Sequence, residues 1–483
     1  MQKLVRSLIL AATCTLLGSA ALHAQPGVID PTFNAANNGT SFNGSVRAIV
    51  HQPDGKLIVC GSFTAIGGVS RNRIARLHAD GSLDTSFNPG TGFTNNFTDP
   101  TELLLQPDGK VVVGGGFDVF NGVPTNRIVR LNPDGSRDAS FTIGTGFSFP
   151  VTTLALQADG KIMVGGEFSS YNGVRRISMA RLNANGTLDA AFGTTNEMNG
   201  SPAVLVPLAS GKYLVAGIFT CIGSCSVPAN QRNYLARLNA DGSLDQTFVP
   251  TGTGFNAQIK DLAVQPDGKV VVTGLFSTFN GAQRVGFARV NTDGSLDASF
   301  NAGAGTSFGA DIIRVLRNGQ FLTAGGFTTI NGVRRYRIAL LNADGTVDTS
   351  FGQTDGLDNS ILALDVQRDG KVVVGGTFGN YYPPTGLSTR RGYLARLQGN
   401  AALPTRAAAP PVAWQVYQDA QPGLFNLVSE KPLTALRVTD ALGRTVASPA
   451  PGATLDLRRL PAGVYFVQAH WGEQRHTCRV VKE

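Results

Sequence analysis

The fold is decided by a stretch that recurs along the chain, and residues 106–141 show it in full: QPDGKVVVGGGFDVFNGVPTNRIVRLNPDGSRDASF. Its apolar runs are short, and an Asp-Gly or Asn-Gly pair stands between one run and the next. These dipeptides tolerate the positive φ that tight hairpin turns require. The stretch is therefore predicted to form consecutive antiparallel strands joined by hairpins.

The same unit occurs seven times. Its first turn lies at residues 53–56, 107–110, 158–161, 210–212, 266–269, 318–320 and 369–371, so that successive copies are 51 to 57 residues apart. Four antiparallel strands in about 52 residues is the size of one β-propeller blade. The chain is predicted to be all-β, with a seven-bladed β-propeller over residues 25–397.

The two ends of the repeat region predict how the ring closes. Each of the first six units ends in Asp-x-x-Phe, whereas the seventh stops at Leu397 without it, and a spare copy lies at residues 30–33. We expect this N-terminal strand to complete the last blade by pairing residues 28–34 with residues 393–398, which leaves no open sheet edge. An open solenoid is the alternative.

Residues present in every unit are interpreted as scaffold. The Phe residues that close strands two and four are expected to pack between blades, and paired glycines such as Gly114-Gly115 to lie where side chains would collide. A repeated Arg of strand three and a repeated Asp of strand four are expected to form an ion pair within each blade, with Leu340 as the exception. A ligand-facing ring of arginines and calcium at the Asp-Gly turns are the alternatives, and no cofactor is predicted.

Composition excludes several classes of protein. Gly makes up 59 of 483 residues without a Gly-X-Y period, which excludes collagen, and 42% hydrophobic residues exclude disorder. The net charge of +8 is spread over all segments, so we expect no nucleic-acid partner. The two histidines of the propeller, His51 and His78, replace ordinary repeat residues, which argues against a His-based catalytic or metal site.

The first 24 residues are predicted to be a secretory signal peptide that is cleaved after Ala24. Lys3 and Arg6 precede an apolar run, Ser7 to Leu22, that is too short to span a membrane. A lipoprotein signal is the alternative. No later segment is apolar enough to be a membrane span.

Loop lengths predict which face of the propeller binds ligands. The strand 1–2 and 3–4 turns share one face and keep a constant length, whereas the 2–3 and 4–1 loops share the other face and vary. We call the second one the variable face and predict binding there. Its candidate ligand residues are Arg175, Arg334, Arg390, Tyr381, Tyr382, Asp99, Asp311 and Asp358.

Two long 2–3 loops stand out on the variable face. Cys221 and Cys225 lie in one of them, and export favours a local disulfide over a metal site. Tyr381 and Tyr382 begin a predicted exposed tip in the other. Cys60 stands where other units have Gly and is expected to be a small core residue.

The repeated unit resembles the bacterial delta-60 repeat. The shared pattern is Gln-Pro-Asp-Gly-Lys, then Gly-Gly-x-Phe, then Ala-Arg-Leu-Asn-x-Asp-Gly-Ser-Leu-Asp-x-Ser-Phe, and the similarity covers residues 28–397. The resemblance implies a β-propeller fold and no established activity.

A second domain is predicted after the repeats. Residues 398–411 have the composition of a linker, and alternating apolar residues in 412–483 predict a small Ig-like β-sandwich. This domain resembles the C-terminal sorting domain (type A) of type IX secretion at Asp440, Gly443, Arg444, Gly463, Tyr465, Arg479 and Lys482. The resemblance implies that the type IX secretion machinery is a partner and carries the protein across the outer membrane. A plain adhesive sandwich is the alternative.

These features predict an exported, non-catalytic binding or adhesion propeller. We expect a monomer that passes through the periplasm to the cell surface or the medium and binds a glycan or a surface protein. The alternative is a secreted polysaccharide hydrolase or lyase, which needs carboxylates that converge on one pocket. No catalytic residue is assigned. The carboxylates that discriminate between the two are Asp99, Asp261, Asp311 and Asp358.

Overall fold

The computed structural model describes two compact units, which lie in residues 1–403 and 404–483. In the first it describes residues 26–34, 42–94, 99–193, 197–248, 252–301, 303–316, 318–352, 356–383 and 389–399. In the second it describes residues 414–418, 424–429, 433–440, 444–448, 454–461, 463–471 and 474–482. Within these ranges, no helix has the length and apolar character needed to cross a membrane.

The first unit consists of seven copies of a three-stranded antiparallel sheet, numbered blade 1 to blade 7 in chain order. The inner strands are Val46–His51, Pro100–Leu105, Val151–Leu156, Pro202–Pro207, Ile259–Val264, Ala310–Val315 and Ile361–Val366. The middle strands are Leu57–Gly61, Val111–Gly115, Ile162–Gly166, Tyr213–Gly217, Val270–Gly274, Phe321–Gly325 and Val372–Gly376. The outer strands are Ile74–Leu77, Ile128–Leu131, Met179–Leu182, Leu235–Leu238, Phe287–Val290, Ile338–Leu341 and Leu394–Leu397.

The loops between middle and outer strands carry small structures of their own. Five blades have a two-residue hairpin: Ala65–Ile66 with Val69–Ser70, Val119–Phe120 with Val123–Pro124, Ser170–Tyr171 with Val174–Arg175, Thr278–Phe279 with Ala282–Gln283, and Thr329–Ile330 with Val333–Arg334. Blade 4 has the 3₁₀ helix Pro228–Asn230, and blade 7 pairs Asn380–Tyr382 with both Gly356–Leu357 and Thr389–Arg390. The Asn-Gly turns have positive φ, 47° at Asn121 and 75° at Gly122, which explains these residue types.

The predicted fourth strand is present only as a segment with one bridge in each blade. In each blade the fourth segment pairs with the outer strand through a single bridge, such as that between Leu77 and Leu83. The Asp84 amide still donates to the Arg76 carbonyl at 2.9 Å. The Asp84 carboxylate then accepts a hydrogen bond from the Ser86 amide, which closes a turn and ends the pairing.

The N-terminal segment completes blade 7, as the sequence predicts. Ile29 forms a β-bridge with Leu397. This is the seventh of the bridges between a fourth segment and an outer strand. The Asp30 amide donates to the Arg396 carbonyl at 2.8 Å, and the Gln398 amide donates to the Val28 carbonyl at 2.7 Å. The seven blades therefore form a closed propeller.

The core consists of apolar clusters between neighbouring blades. One cluster joins Val46 and Phe63 of blade 1 with Val373 of blade 7 and the N-terminal Phe33. The Phe residues that close strands two and four are buried, as predicted: Phe33, Phe63, Phe87, Phe117, Phe141, Phe168, Phe192, Phe219, Phe248, Phe276, Phe300, Phe327, Phe351 and Phe378. A Cβ on Gly375 would lie 2.6 Å from Val46 Cγ1, so the first glycine of the pair lets the next blade approach. Cys60 is buried and free, as expected.

The repeated Arg forms an ion pair within its own blade and also links that blade to the next one. Arg130 Nε donates to Asp138 Oδ2 at 2.7 Å, and its guanidinium carbon lies 4.6 Å from the centre of the Phe141 ring. Its Nη1 also donates to the Ala184 carbonyl in the next blade. Arg76, Arg181, Arg237, Arg289 and Arg396 repeat this arrangement. The Arg residues are therefore part of the scaffold rather than a ring that faces a ligand.

The exception at Leu340 has a structural reason. An Arg in blade 6 would donate to the strand 3–4 turn of blade 7, and blade 7 has no continuous turn there. The outer strand of blade 7 ends at Leu397, and its fourth segment comes from the N-terminus. Leu340 is instead buried in the apolar cluster between these two blades.

The described residues of the second unit form two antiparallel sheets. One is Trp414–Gln418, Leu424–Ser429 and Thr454–Asp456, and the other is Thr445–Ala447, Leu433–Asp440, Gly463–Trp471 and Gln474–Lys482. One apolar cluster includes Phe425 and Leu455 from the first sheet and Val438 and Val467 from the second. The alternating apolar residues of the sequence therefore form a core that the two sheets share.

Candidate functional site

The inner strands of all seven blades line a central channel with a volume of about 470 Å³. Most lining residues are small or apolar. The charged ones are Arg47, Glu102, Lys260, Asp261, Asp311, Arg314 and Asp365. Because the volume is that of a small-molecule pocket, the channel is a candidate binding site.

A β-bulge shapes the end of the channel at the variable face. In every inner strand the pairing with the middle strand is irregular between the first and third residues, as between Val46 and Ala48. The second residue has no ladder partner, as expected of a bulge. Thr152 and Ala203 occupy this position in blades 3 and 4, whereas Lys260 and Asp311 place charges there in blades 5 and 6.

Glu102, the third residue of the blade 2 inner strand, has an unusual environment. Among the residues that the structure describes, none forms a hydrogen bond or ion pair with its carboxylate. Burial raises the pKa of Glu102 to about 8, the Arg314 charge opposes this shift, and the Asp261 charge adds to it. The residue is half-buried and lines the channel. The carboxyl can therefore change protonation near neutral pH.

Several other channel charges are matched. Arg314 Nη1 lies 2.9 Å from Asp261 Oδ2, and His51 Nδ1 lies 2.7 Å from Asp365 Oδ2. Burial raises the pKa of Asp311, and the Lys260 charge counteracts this rise. The channel thus holds charges of both signs. Because several of them pair with one another, fewer charged groups are free to bind a ligand.

Four predicted ligand residues lie on surface loops. Arg175 forms a two-point ion pair with Glu197, with Nε 2.7 Å from Oε1. The Arg334 guanidinium lies over the Tyr336 ring, 4.8 Å from its centre. Arg390 and Tyr382 are exposed. None of these four lines the channel.

Three other predicted ligand residues serve the fold. Tyr381 was expected at an exposed tip, and this is wrong: its ring is 6% exposed and packs between blades 6 and 7. Asp99 pairs with Arg47 at 3.1 Å and with Arg73 at 3.2 Å. Asp358 accepts hydrogen bonds from the amides of residues 379 and 380.

The four discriminating carboxylates therefore divide into two pairs. Asp261 and Asp311 belong to inner strands rather than to loops of the variable face, and both line the channel. Asp99 and Asp358 do not line it. Sequence reasoning missed Glu102 and Lys260, although a usable signal existed: each is a charge at an inner-strand position that is small or apolar in most other blades.

The remaining predicted residues lie elsewhere. Cys221 and Cys225 are joined as a disulfide in the long loop of blade 4. Asp440 accepts from Arg444 Nε at 2.7 Å, the Tyr465 hydroxyl donates to the Pro461 carbonyl, and Lys482 Nζ donates to the Arg458 carbonyl. Gly463 begins a strand whose Phe466 pairs with Arg479. Ala24, Gly443 and residues 400–411 lie outside the described residues.

Comparisons with solved structures give low similarity. The extracellular domain of a putative one-component system, BT4673 from B. thetaiotaomicron, is 10% identical over 95% of this chain, with a TM-score of 0.44. YCF48 from Cyanidioschyzon merolae is 13% identical over 74% of this chain and 96% of its own, with a TM-score of 0.33. The chain spans about three-fifths of the length of the BT4673 domain. None of the curated proteins compared with the chain matches it significantly.

A family model matches the repeats themselves. The matched segments are residues 52–87, 106–141, 157–192, 208–248, 265–300, 316–351 and 367–400, which together make up more than half of the chain. Each segment starts beside the turn between inner and middle strands. With seven matched units in seven blades, the chain belongs to the family described as domain of unknown function (DUF5122) beta-propeller.

Proposed function

We propose that this protein is an exported, non-catalytic binding propeller whose ligand enters the central channel from the variable face. One observation carries the proposal: the Arg and Asp residues that repeat from blade to blade are used by the scaffold, whereas several charges that break the repeat line the channel, namely Glu102, Lys260, Asp261 and Asp311. A rigid ring with non-repeated polar groups at its centre is suited to recognition.

Export is the second part of the proposal. The basic and apolar N-terminal run supports a signal peptide, and the two-sheet second unit with its Asp440–Arg444 pair supports a sandwich sorting domain for type IX secretion. In a type IX-competent host, deleting residues 412–483 should leave the propeller in the periplasm. A control with Arg437→Lys, an exposed change outside the motif residues, should still be exported. Unimpaired surface delivery of the deleted protein would refute this route.

The binding function is tested with the full chain in a glycan and cell-surface screen. Binding to a defined class of ligand is expected, and Glu102→Gln should weaken it at least tenfold. Asp108→Asn, an exposed change on the opposite face, is the matched control and should have no effect. Equal binding by all variants would place the ligand away from the channel.

A polysaccharide hydrolase or lyase is the second candidate. Asp261 and Asp311 share the channel with Glu102, and burial raises the pKa of all three carboxyls, as general acid catalysis requires. Incubation with soluble polysaccharides, followed by measurement of new reducing ends, distinguishes this candidate. Turnover that Glu102→Gln abolishes without loss of binding would establish an enzyme.

A further inference from the structure

The rim of the channel on the variable face carries apolar side chains that the scaffold does not use. Phe308 is 69% exposed and Leu275 is 55% exposed, and Phe149 and Ile218 are exposed as well. Phe149 and Phe308 occupy the same repeat position, two residues before the inner strands of blades 3 and 6. Scattered apolar residues are normal on a surface, but these four follow one another around the rim from blade 3 to blade 6.

Backbone contacts place Leu275 and Ile218 next to the variable-face ends of inner strands. The Leu275 amide donates to the carbonyl of Gln258, which directly precedes the blade 5 inner strand. The Ile218 amide makes the same bond to Ser201 in blade 4. A Cβ on Gly309 would lie 2.8 Å from Leu275 Cδ2, so Leu275 reaches the start of blade 6 next to Phe308.

Charges lie just inside this rim. Lys260 and Asp311 are the second residues of their inner strands, and Glu102 is the third residue of its own. Arg47 is paired with Asp99, and Arg314 with Asp261. Each channel cation therefore lies near another carboxylate. The Arg314 charge acts on Glu102, but among the described residues none forms an ion pair or hydrogen bond with the Glu102 carboxylate.

This arrangement has a preferred occupant. An incoming cation would supply the ion pair that Glu102 lacks and so favour its charged form, which burial opposes. Apolar groups beside that cation would cover Leu275 and Phe308. The channel volume of about 470 Å³ is sufficient for a lysine or arginine side chain. Neutral glycans satisfy the apolar rim but not the carboxylate.

We propose that the channel mouth binds a polypeptide segment in which a lysine or arginine side chain enters the channel toward Glu102 and flanking apolar residues pack on Phe308 and Leu275. This inference rests on the proposed binding function and names its ligand class. The protein partner is thus recognised by a basic residue within an apolar sequence.

The test uses the full chain, immobilised and panned with a library of random heptapeptides. Wild-type protein should enrich peptides with Lys or Arg next to Leu, Ile or Phe. Glu102→Gln should remove the basic preference, and Leu275→Ala with Phe308→Ala should remove the apolar one. Asp108→Asn is the control and should enrich the same peptides as the wild type. Thermal melts establish that each variant is folded.

Two peptides then measure affinity. The first is the best enriched peptide, and the second replaces its basic residue with norleucine. A loss of at least tenfold with norleucine in the wild type, but not in Glu102→Gln, supports the proposal. Enrichment without basic residues, or no enrichment, overturns it. A neutral oligosaccharide that binds the channel instead would overturn the peptide ligand while keeping the binding function, whereas channel variants that affect no ligand would refute both.

Discussion

Asp30 and Arg396 are separated by 366 residues in the sequence, yet their side chains form a buried ion pair. Arg396 Nη2 lies 2.8 Å and its Nε 2.9 Å from Asp30 Oδ2, and Lys371 Nζ donates to the same oxygen at 2.9 Å. Arg130 and Asp138 form the same pair inside the continuous chain of blade 2. The seam of the ring is therefore held by the same contact as the interior of a blade.

Replacing Asp30 tests how the ring stays closed. Asp30→Ala leaves Arg396 and Lys371 without a counter-charge, so we expect a loss of about 3 kcal/mol in unfolding free energy. Denaturant titration measures this loss, with Asp84→Ala as the matched change inside blade 1. Hydrogen exchange separates the two: residues 27–30 should lose protection in Asp30→Ala only. Equal protection there in both variants would contradict the closure role.

The repeated carboxylates predict an acid-sensitive fold. Burial by itself would raise the pKa of Asp30. Hydrogen bonds from Thr32 and Lys371 and the Arg396 charge nevertheless hold this pKa well below its usual range. The pKa values of Asp84, Asp138, Asp245 and Asp297 are lowered in the same way. A lowered folded-state pKa contributes stability above the unfolded value of about 4, and this stability is lost as the pH falls through the folded value. Melting temperatures should drop steeply below about pH 4; a melting temperature at pH 3 equal to that at pH 5 would disprove this.

Glu102 predicts the opposite trend, a loss of stability as the pH rises. Its folded-state pKa of about 8 is above the unfolded value, so its ionisation destabilises the fold increasingly between about pH 4 and pH 8. Glu102→Gln should be more stable than the wild type at pH 9 by about 1 kcal/mol or more, with little difference at pH 4. Unfolding at both pH values measures this. Glu167→Gln, at an exposed carboxylate, should show no such trend, and a constant difference for Glu102→Gln would argue against a buried acid.

Two adjacent tyrosines give a matched test of the loop in blade 7. Tyr381→Ala should destabilise the propeller by about 3 kcal/mol because its ring packs between blades 6 and 7. Tyr382→Ala should change stability by less than about 0.5 kcal/mol, since that ring is 52% exposed. Thermal melts compare the two variants. The reverse order would mean that the ring of Tyr382, and not that of Tyr381, is the one packed.

Much of the scaffold was predictable from the sequence because its signals are local and occur seven times. The Asp-Gly turns, the buried Phe residues and the Arg–Asp pairs act within one blade or between neighbours, so spacing alone predicts them. The closure through residues 28–34 was predictable as well, because the seventh unit lacks the Asp-x-x-Phe motif and a spare copy lies at residues 30–33. The predicted fourth strands are reduced to single bridges because Asp84 and its equivalents close a turn with their side chains.

By itself, the sequence determined the number of blades, their order and the closure of the ring, since a repeated pattern of turns and apolar runs permits little else. Only the tertiary structure decided where the candidate site lies. Glu102, Asp261 and Asp311 come from three different blades, and no spacing predicts that they share one channel. Tyr381 and Tyr382 are adjacent in the chain, yet the packing of blade 6 against blade 7 buries one and exposes the other.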